Sequence, residues 1–345
     1  MFNLKKFAVA AAMTLVAGSA FATNFRAADQ VYVPIAGHVA GGSGTFISDV
    51  FLSNLSTDAV TVTVVFVPLG ASGLTGAPAT FPAIQLAAGE RKEYIDFFQS
   101  ALGLSSGIGQ LIFNACKQGA DCGPATQDAN GVSPFFRPIS VESRIFQIPP
   151  GTTLSGNPPT TGQAFAGFPW YSFVSSDSAS VGLDKVFITG IRNTGTVGQA
   201  GTYRGNIGLV NASQYSTTTL AVKLFDGKTG TQIGSTVQQT LGPLGNVQIQ
   251  LTSFTGFSGA TATNAYATVE QVSSTPTSDS PTSCGTSGCP AFFAYGSVLD
   301  NASGDATTLE PQFTKALTDA ALSCIFTPAT ASCKAVTGFR RAAKH

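Results

Sequence analysis

His38 is the one histidine ahead of the C-terminal His345. A Ser-His-Asp site would have to be built on it, since imidazole is the side chain that exchanges a proton near neutral pH. It stands in AGHVAGG, read as a loop between the first two strands, and no G-x-S-x-G elbow accompanies it. It therefore reads as a loop histidine. Paired carboxylates could do acid–base work without it, as in glycoside hydrolysis. The acids are scattered: Glu90, Glu93 and Asp96 form one cluster, and Asp300 and Asp305 another. Glu90 and Glu93 flank Arg91 and Lys92 beside a turn, the pattern of a solvated strand end. DNASGD, from Asp300 to Asp305, offers oxygen ligands for calcium, the one metal candidate. It is not an EF-hand loop, because Ala302 holds the third position and no Glu falls at the twelfth. A turn rich in Asn, Ser and Gly accounts for the same residues.

FAGFPWYSF, Phe165 to Phe173, is the densest aromatic stretch and holds the single Trp. Phe168, Trp170 and Tyr171 could form a platform for a sugar ring or a protein partner, and are the candidate ligand-binding residues. The competing reading is a wedge between two cores, and linker aromatics with cores on both sides favour it. Asn54, Asn211 and Asn301 each open an Asn-x-Ser triplet. Glycosylation is one reading; a turn in which Asn caps its own backbone is the stronger one.

The elements that carry these residues start after a leader. MFNLKK, the apolar FAVAAAMTLVAG and the small-residue end SAFA form a secretory signal peptide over 1–22, with cleavage expected after Ala22. The apolar run is too short to span a bilayer. The expected location is secreted or periplasmic, without membrane insertion. Removing Lys5 and Lys6 from eighteen basic residues leaves the mature chain two charges short of its eighteen acids. No basic stripe for nucleic acid remains. Charged residues are 10% of the chain, and Gly, Ser and Thr fill the polar positions.

The six cysteines fall into three close pairs: Cys116 with Cys122, Cys284 with Cys289, and Cys324 with Cys333. Export and clustering make three local bridges the simplest pairing. None of the pairs is C-x-x-C, which argues against redox chemistry, and zinc lacks histidine ligands. No cofactor is expected.

The chain nearly repeats itself. Gly41, Gly44, Thr45, Phe46, Asn54 and Ser56 align without a gap with Gly198, Gly201, Thr202, Tyr203, Asn211 and Ser213, 157 residues on. Each copy runs from a glycine-bearing loop into an apolar strand, turns at Asn-x-Ser, and enters a β-branched strand. Later, GQLIFNA and NAYATVEQV each precede a cysteine loop and then a further strand. About seven short strands per copy, with few helix signals, predict two tandem immunoglobulin-like β-sandwiches. The expected boundaries are 23–165 for the first module, 166–184 for an aromatic linker, 185–310 for the second module and 311–345 for a C-terminal extension. DFFQSALGL is the best helix candidate of the first module, with Asp96 as N-cap and Gly103 as stop. The charged VESRIF and ERKEY suit sheet edges. PQFTKALTDAALSCIF places Phe313, Leu317, Ala320 and Ala321 at helical spacing.

VYVPIAGHVAGGSGTF, LAAGERKEYIDF, SRIF, GTTLSGNPPTTGQ, YRGNIGLVN, VKLFDGKTGTQIG and AYGSVLDNASGD occur in this order. In this the chain, over roughly residues 31 to 310, resembles a family of exported bacterial proteins built from paired β-sandwich modules, found alone or appended to secreted enzymes. The resemblance implies the architecture and carries no ligand, activity or functional residue. The cysteine loops and the tail after Pro311 depart from it.

These readings favour an exported, non-enzymatic structural or interaction protein whose partner is an extracellular protein or a glycan. The alternatives are a carbohydrate-binding module protein and a hydrolase of unrecognised type. Contact is expected from loops at one sandwich end: the Gly41–Gly44 loop and the cysteine loops 115–137 and 273–290.

Overall fold

The structure, a computed structural model, describes residues 27–313 except 42–43, 75–77, 129–131, 152–153, 155–159, 177–183 and 255–261. The expected signal peptide, the expected Cys324–Cys333 bridge and the helical reading of the tail beyond Phe313 lie outside the described residues. The described residues are 57% strand and 7% helix, far above the usual strand share, so the described part is all-β with antiparallel sheets.

The first nine strands are β1 (Gln30–Gly41), β2 (Gly44–Asn54), β3 (Val60–Pro68), β4 (Ile84–Leu86), β5 (Arg91–Tyr94), β6 (Gly107–Lys117), β7 (Ile139–Ile148), β8 (Thr161–Ala166) and β9 (Phe168–Pro169). They pair in the order β4-β3-β6-β1-β2-β7-β8, with β5 on β2 and β9 on β1. Strand β1 joins the two parts of this ladder. Its Gln30–His38 part pairs with β6, and its last residues, Val39–Gly41, pair with β2. A register shift between Val33 and Ala36 lets it bend there, where Pro34 has no N–H to give to a ladder.

The next nine are β10 (Lys185–Asn193), β11 (Tyr203–Asn211), β12 (Ser216–Asp226), β13 (Gln232–Leu241), β14 (Asn246–Gln250), β15 (Ala262–Pro276), β16 (Phe292–Asp300), β17 (Ala306–Leu309) and β18 (Gln312–Phe313). They form one sheet in the order β13-β12-β15-β10-β18 and another in the order β14-β11-β16-β17. Strand by strand this is the pairing of β4-β3-β6-β1-β9 and β5-β2-β7-β8. The link that β1 makes to β2 is reduced, between β10 and β11, to a single bridge from Thr194 to Tyr203.

Two cores result. In the first, Val31, Val62 and Phe113 meet Val50, Leu52 and Val141 from the facing strands. In the second, Val186, Leu220 and Val269 meet Ile207, Leu209 and Ala294. Strand β16 serves both: Phe292 and Ala294 point into the second core, Phe293 and Tyr295 into the first. Burial on two faces explains why FFAYGSV reads as an unbroken apolar run rather than an alternating one. The linker does the same in one step, with Phe173 in the first core and Val174 in the second.

Two of the three expected bridges lie in the described residues, and both are formed: Cys116–Cys122 and Cys284–Cys289. The helix at DFFQ is one turn, α1 (Phe97–Ser100), and Asp96 stands at its N-cap without a side-chain capping bond. ERKEY is an edge strand, β5, as its charges suggest. VESRIF is not: β7 lies between β2 and β8, and its charged Glu142 and Arg144 alternate with buried residues onto a partly buried face instead.

Candidate functional site

His38 is in strand β1, paired opposite Gly107, and not in a loop. The apolar run before it simply continues the ladder through AGHVAG. Its Nδ1 lies 2.9 Å from Asp96 Oδ2, and its Nε2 lies 3.4 Å from Gln99 Nε2. Asp96 adopts a left-handed backbone, φ 47°, which Asp tolerates better than most side chains. That turn aims its carboxylate at the imidazole and its N–H at Asp49 Oδ1, 3.0 Å away. Burial raises the Asp49 pKa, and the hydrogen bond from the Asp96 backbone and the Arg144 charge oppose the rise. A carboxylate on Nδ1 is what orients a catalytic imidazole. The other nitrogen, however, meets an amide, and no hydroxyl or thiol is bonded to it among the described residues. The arrangement closes the end of the first core under α1.

The remaining acids of that cluster part from Asp96. Glu90 Oε2 accepts from the Ala87 N–H at 2.6 Å, with Lys92 Nζ 3.7 Å from its other oxygen. Glu93 is exposed on the edge strand β5, opposite Phe51.

Asp300 closes a turn. Its Oδ1 accepts from the Ala302 N–H at 2.9 Å, the Ser303 N–H at 2.8 Å and the Ser303 hydroxyl at 3.0 Å. These bonds, led by those of Ser303, hold its carboxyl below the usual range. Asp226 in DGKTG repeats the geometry, with bonds from Lys228 N–H, Thr229 N–H and the Thr229 hydroxyl. An Asp-x-x-Ser/Thr-Gly turn thus explains both stretches. Asp305 contributes its backbone carbonyl to the Asp300 N–H. No group of three or more metal-ligating side chains occurs among the described residues.

The aromatic candidates are interior. Phe168, Trp170 and Tyr171 are 8%, 3% and 8% exposed. Phe168 stacks on Phe293 at 4.7 Å, and Phe173 stacks on the same ring at 5.3 Å. Trp170 Nε1 donates to Asp29 at 3.0 Å and the Tyr171 hydroxyl to the Ala27 carbonyl at 3.1 Å. Phe168 and Phe173 therefore wedge the two halves, while Trp170 and Tyr171 fasten the segment leading into β1. None presents a ring face to solvent.

A cleft that the sequence did not indicate lies where the halves meet. It holds about 360 Å³ between β8 and β17, over Ala164, Phe165 and Ala306, with Glu142 and Glu310 on its walls. The Thr308 hydroxyl donates to the Ala164 carbonyl and ties the two strands together. Burial raises the Glu310 pKa. Neither carboxylate takes part in an ion pair or accepts a hydrogen bond among the described residues. Each reads in sequence as an ordinary strand or strand-end acid, and only the packing of β17 against β8 brings them to one cleft.

The loops expected at a common end are at opposite ends. In the β2–β7 ladder Thr45 faces Ile148, and Asn54 faces Ile139. Gly41 and Gly44 are at the first end and the Cys116–Cys122 loop is at the second, since antiparallel ladders put successive connections at alternate ends. The two cysteine loops do occupy equivalent connections, β6 to β7 and β15 to β16. No helix among the described residues is long and apolar enough to cross a membrane.

No family model matches the chain, and no curated protein matches it in sequence. Among solved structures it is similar to Bacteroides uniformis beta-glucuronidase 2 covalently bound to cyclophellitol-6-carboxylate aziridine, at 9% identity over 81% of this chain and 25% of that one. A second Bacteroides uniformis beta-glucuronidase structure matches at 9% identity over 82% and 25%. The chain spans about a quarter of the length of these enzymes, and at a TM-score of 0.14 the likeness carries no argument about fold or activity.

Proposed function

We propose that the protein is an exported, non-enzymatic structural or binding protein built of two immunoglobulin-like sandwich modules. The module reading is supported by the pairing order of β10–β18, which retraces that of β1–β9. The functional reading is carried by one observation: the histidine, the turn acid and the aromatics that the sequence offers for chemistry are held in structural roles. His38 is bonded to Asp96 and lies beside Gln99, Asp300 folds its own turn, and the aromatics are core. Short bridged loops and a scarcity of charge suit a protein that works outside the cytoplasm.

The test is to purify the chain from Thr23 onward and assay it against glycoside, ester and peptide substrates, alongside a pull-down from culture medium. Capture of a partner without turnover is the expected result. The Glu142–Glu310 cleft favours one second reading, a hydrolase using paired carboxylates. Turnover abolished by Glu310→Gln or Glu142→Gln would establish that reading and end the first.

A further inference from the structure

The sheet β13-β12-β15-β10-β18 has one face in the second core. Its other face carries Phe187 from β10, Tyr266 from β15 and Phe225 from β12, each half-exposed. The rings form a row across three neighbouring strands. Tyr266 and Phe225 stack at 5.0 Å, and Phe187 and Tyr266 at 6.4 Å. Beside the row, Glu270 takes both Lys185 at 2.8 Å and Lys223 at 2.6 Å. Three stacked aromatics side by side on an outward sheet face are costly to leave wet.

The repeat tells what such a face is for. The registers equate Phe187 with Tyr32, since Phe187 pairs with Gln312 of β18 and Tyr32 with Phe168 of β9. They equate Tyr266 with Gln110 and Phe225 with Val67, because Phe225 faces Tyr266 as Val67 faces Gln110. Tyr32, Gln110 and Val67 are 0% exposed. They are covered by the second half: Tyr32 meets Phe293 edge-on at 6.0 Å, its hydroxyl reaches the Ala212 carbonyl, and Gln110 donates to the Leu244 carbonyl at 2.6 Å. The same face is an internal interface in one half. In the other it carries an aromatic ring at each of the three positions and has no covering sheet among the described residues.

We infer that the chain leaving β18, residues 314–326, lies across the Phe187–Tyr266–Phe225 row. Strand β18 runs along β10 at the edge of this sheet, so the described chain ends, at Phe313, on the border of the patch. At the matching point of the first half the chain leaves β9, and Phe173, four residues beyond that strand, packs edge-on against Tyr32 at 4.7 Å. The segment TKALTDAALSCIF carries Leu317, Ala320 and Ala321 at helical spacing. Thirteen residues of helix would reach about 20 Å, the width of roughly four strands. Small alanines beside one leucine suit close approach to upright rings.

The test uses the full mature chain with Leu317 replaced by the photoreactive p-benzoylphenylalanine. Irradiation of the monomer is expected to join position 317 to the peptides of Phe187, Tyr266 or Phe225. Links to other regions, links only between two chains, or no links would overturn the contact. In a second measurement, hydroxyl-radical footprinting of Leu317→Asp/Ala321→Asp is expected to raise oxidation of Phe187, Tyr266 and Phe225 severalfold, with Tyr32 still protected. Unchanged oxidation of those three would overturn it as well.

Discussion

Asn54 and Asn211 occupy the same buried corner of the two halves and make the same bonds there. Asn54 Nδ2 donates to the Asp58 and Ala87 carbonyls, both at 2.8 Å, and its Oδ1 accepts from the Ser56 N–H at 2.9 Å. Asn211 Nδ2 donates to the Ser216 and Gly242 carbonyls, both at 2.8 Å, and its Oδ1 accepts from the Ser213 N–H at 3.0 Å. Each amide therefore ties the end of one strand to the start of the next and to a turn two strands further on. Both side chains are 0% exposed. Asn211→Ala would leave buried carbonyls without donors, at a cost of about 2–3 kcal/mol. Urea unfolding of Asn54→Ala and Asn211→Ala should show comparable losses. A loss under about 0.5 kcal/mol in either would mean the corner relaxes to other donors or water.

These asparagines should also stay unmodified. Attaching a glycan would pull Nδ2 from the carbonyls that hold the corner. Asn301 is bound in the same way, to the Thr194 carbonyl and the Thr202 hydroxyl. Mass spectrometry of the protein from a glycosylating host should find all three sites bare. Occupancy at any of them would contradict the buried networks.

Phe293 sits between Phe168 and Phe173 at the junction of the halves. Phe293→Ala removes the shared ring from both stacks and should cost about 3–5 kcal/mol. Because the ring belongs to the joint, the variant should also split one unfolding transition into two. A single transition with a loss near 1 kcal/mol would place the coupling elsewhere, in the hydrogen bonds from Gln110 and Asn246.

Two acids give opposite pH dependences. Glu270 is held below its ordinary pKa by the Lys185 and Lys223 hydrogen bonds. Its contribution is present above the unfolded value and lost as pH falls through the lower folded one. Glu270→Gln should flatten the acid limb of the stability profile. Glu310 is raised by burial. The folded state then holds the proton longer than the unfolded state, so stability falls as pH rises from the unfolded to the folded value. Glu310→Gln should be more stable than the native chain at pH 7, and the gain should vanish at about pH 3, below the ordinary Glu range. Equal stability of the two chains at pH 7 would show that Glu310 is solvated.

The two bridges should differ in weight. Cys284 is 6% exposed, Cys289 packs against the first core, and Ser213 donates to the Gly288 carbonyl inside the loop. The Cys116–Cys122 loop is more open. Closing loops this short is worth about 2–3 kcal/mol in the chain-entropy model. Cys284→Ser/Cys289→Ser should exceed that by disturbing the core, whereas Cys116→Ser/Cys122→Ser should mainly speed proteolysis within 118–137. Equal losses measured by thermal unfolding would refute the distinction.

Local chemistry made part of this legible in sequence. Period-2 apolar runs bounded by Asn, Ser and Gly mark strands without any partner being known. Asn-x-Ser at 157-residue spacing identifies two like corners, since the turn is formed by the residues within it. Close cysteine pairs can bridge only if their loops fold locally, and two of them do.

What partners what was decided by tertiary structure. His38 looks like a loop residue because glycines surround it, yet β6 extends far enough to pair with it, and a left-handed Asp96 reaches back to its ring. Phe168, Trp170 and Tyr171 carry no mark that separates an exposed platform from a wedge; the second half covers Phe168 through Phe293, and the segment leading into β1 holds Trp170 and Tyr171. Glu142 and Glu310 lie 168 residues apart, and no spacing rule joins residues on strands from different halves. The sequence by itself determined the strands, their turns and the repeat, because those follow from backbone preferences and short-range hydrogen bonds. Which faces are buried, and hence which side chains remain free to act, was decided by how the two halves pack, because burial depends on surfaces that no local pattern encodes.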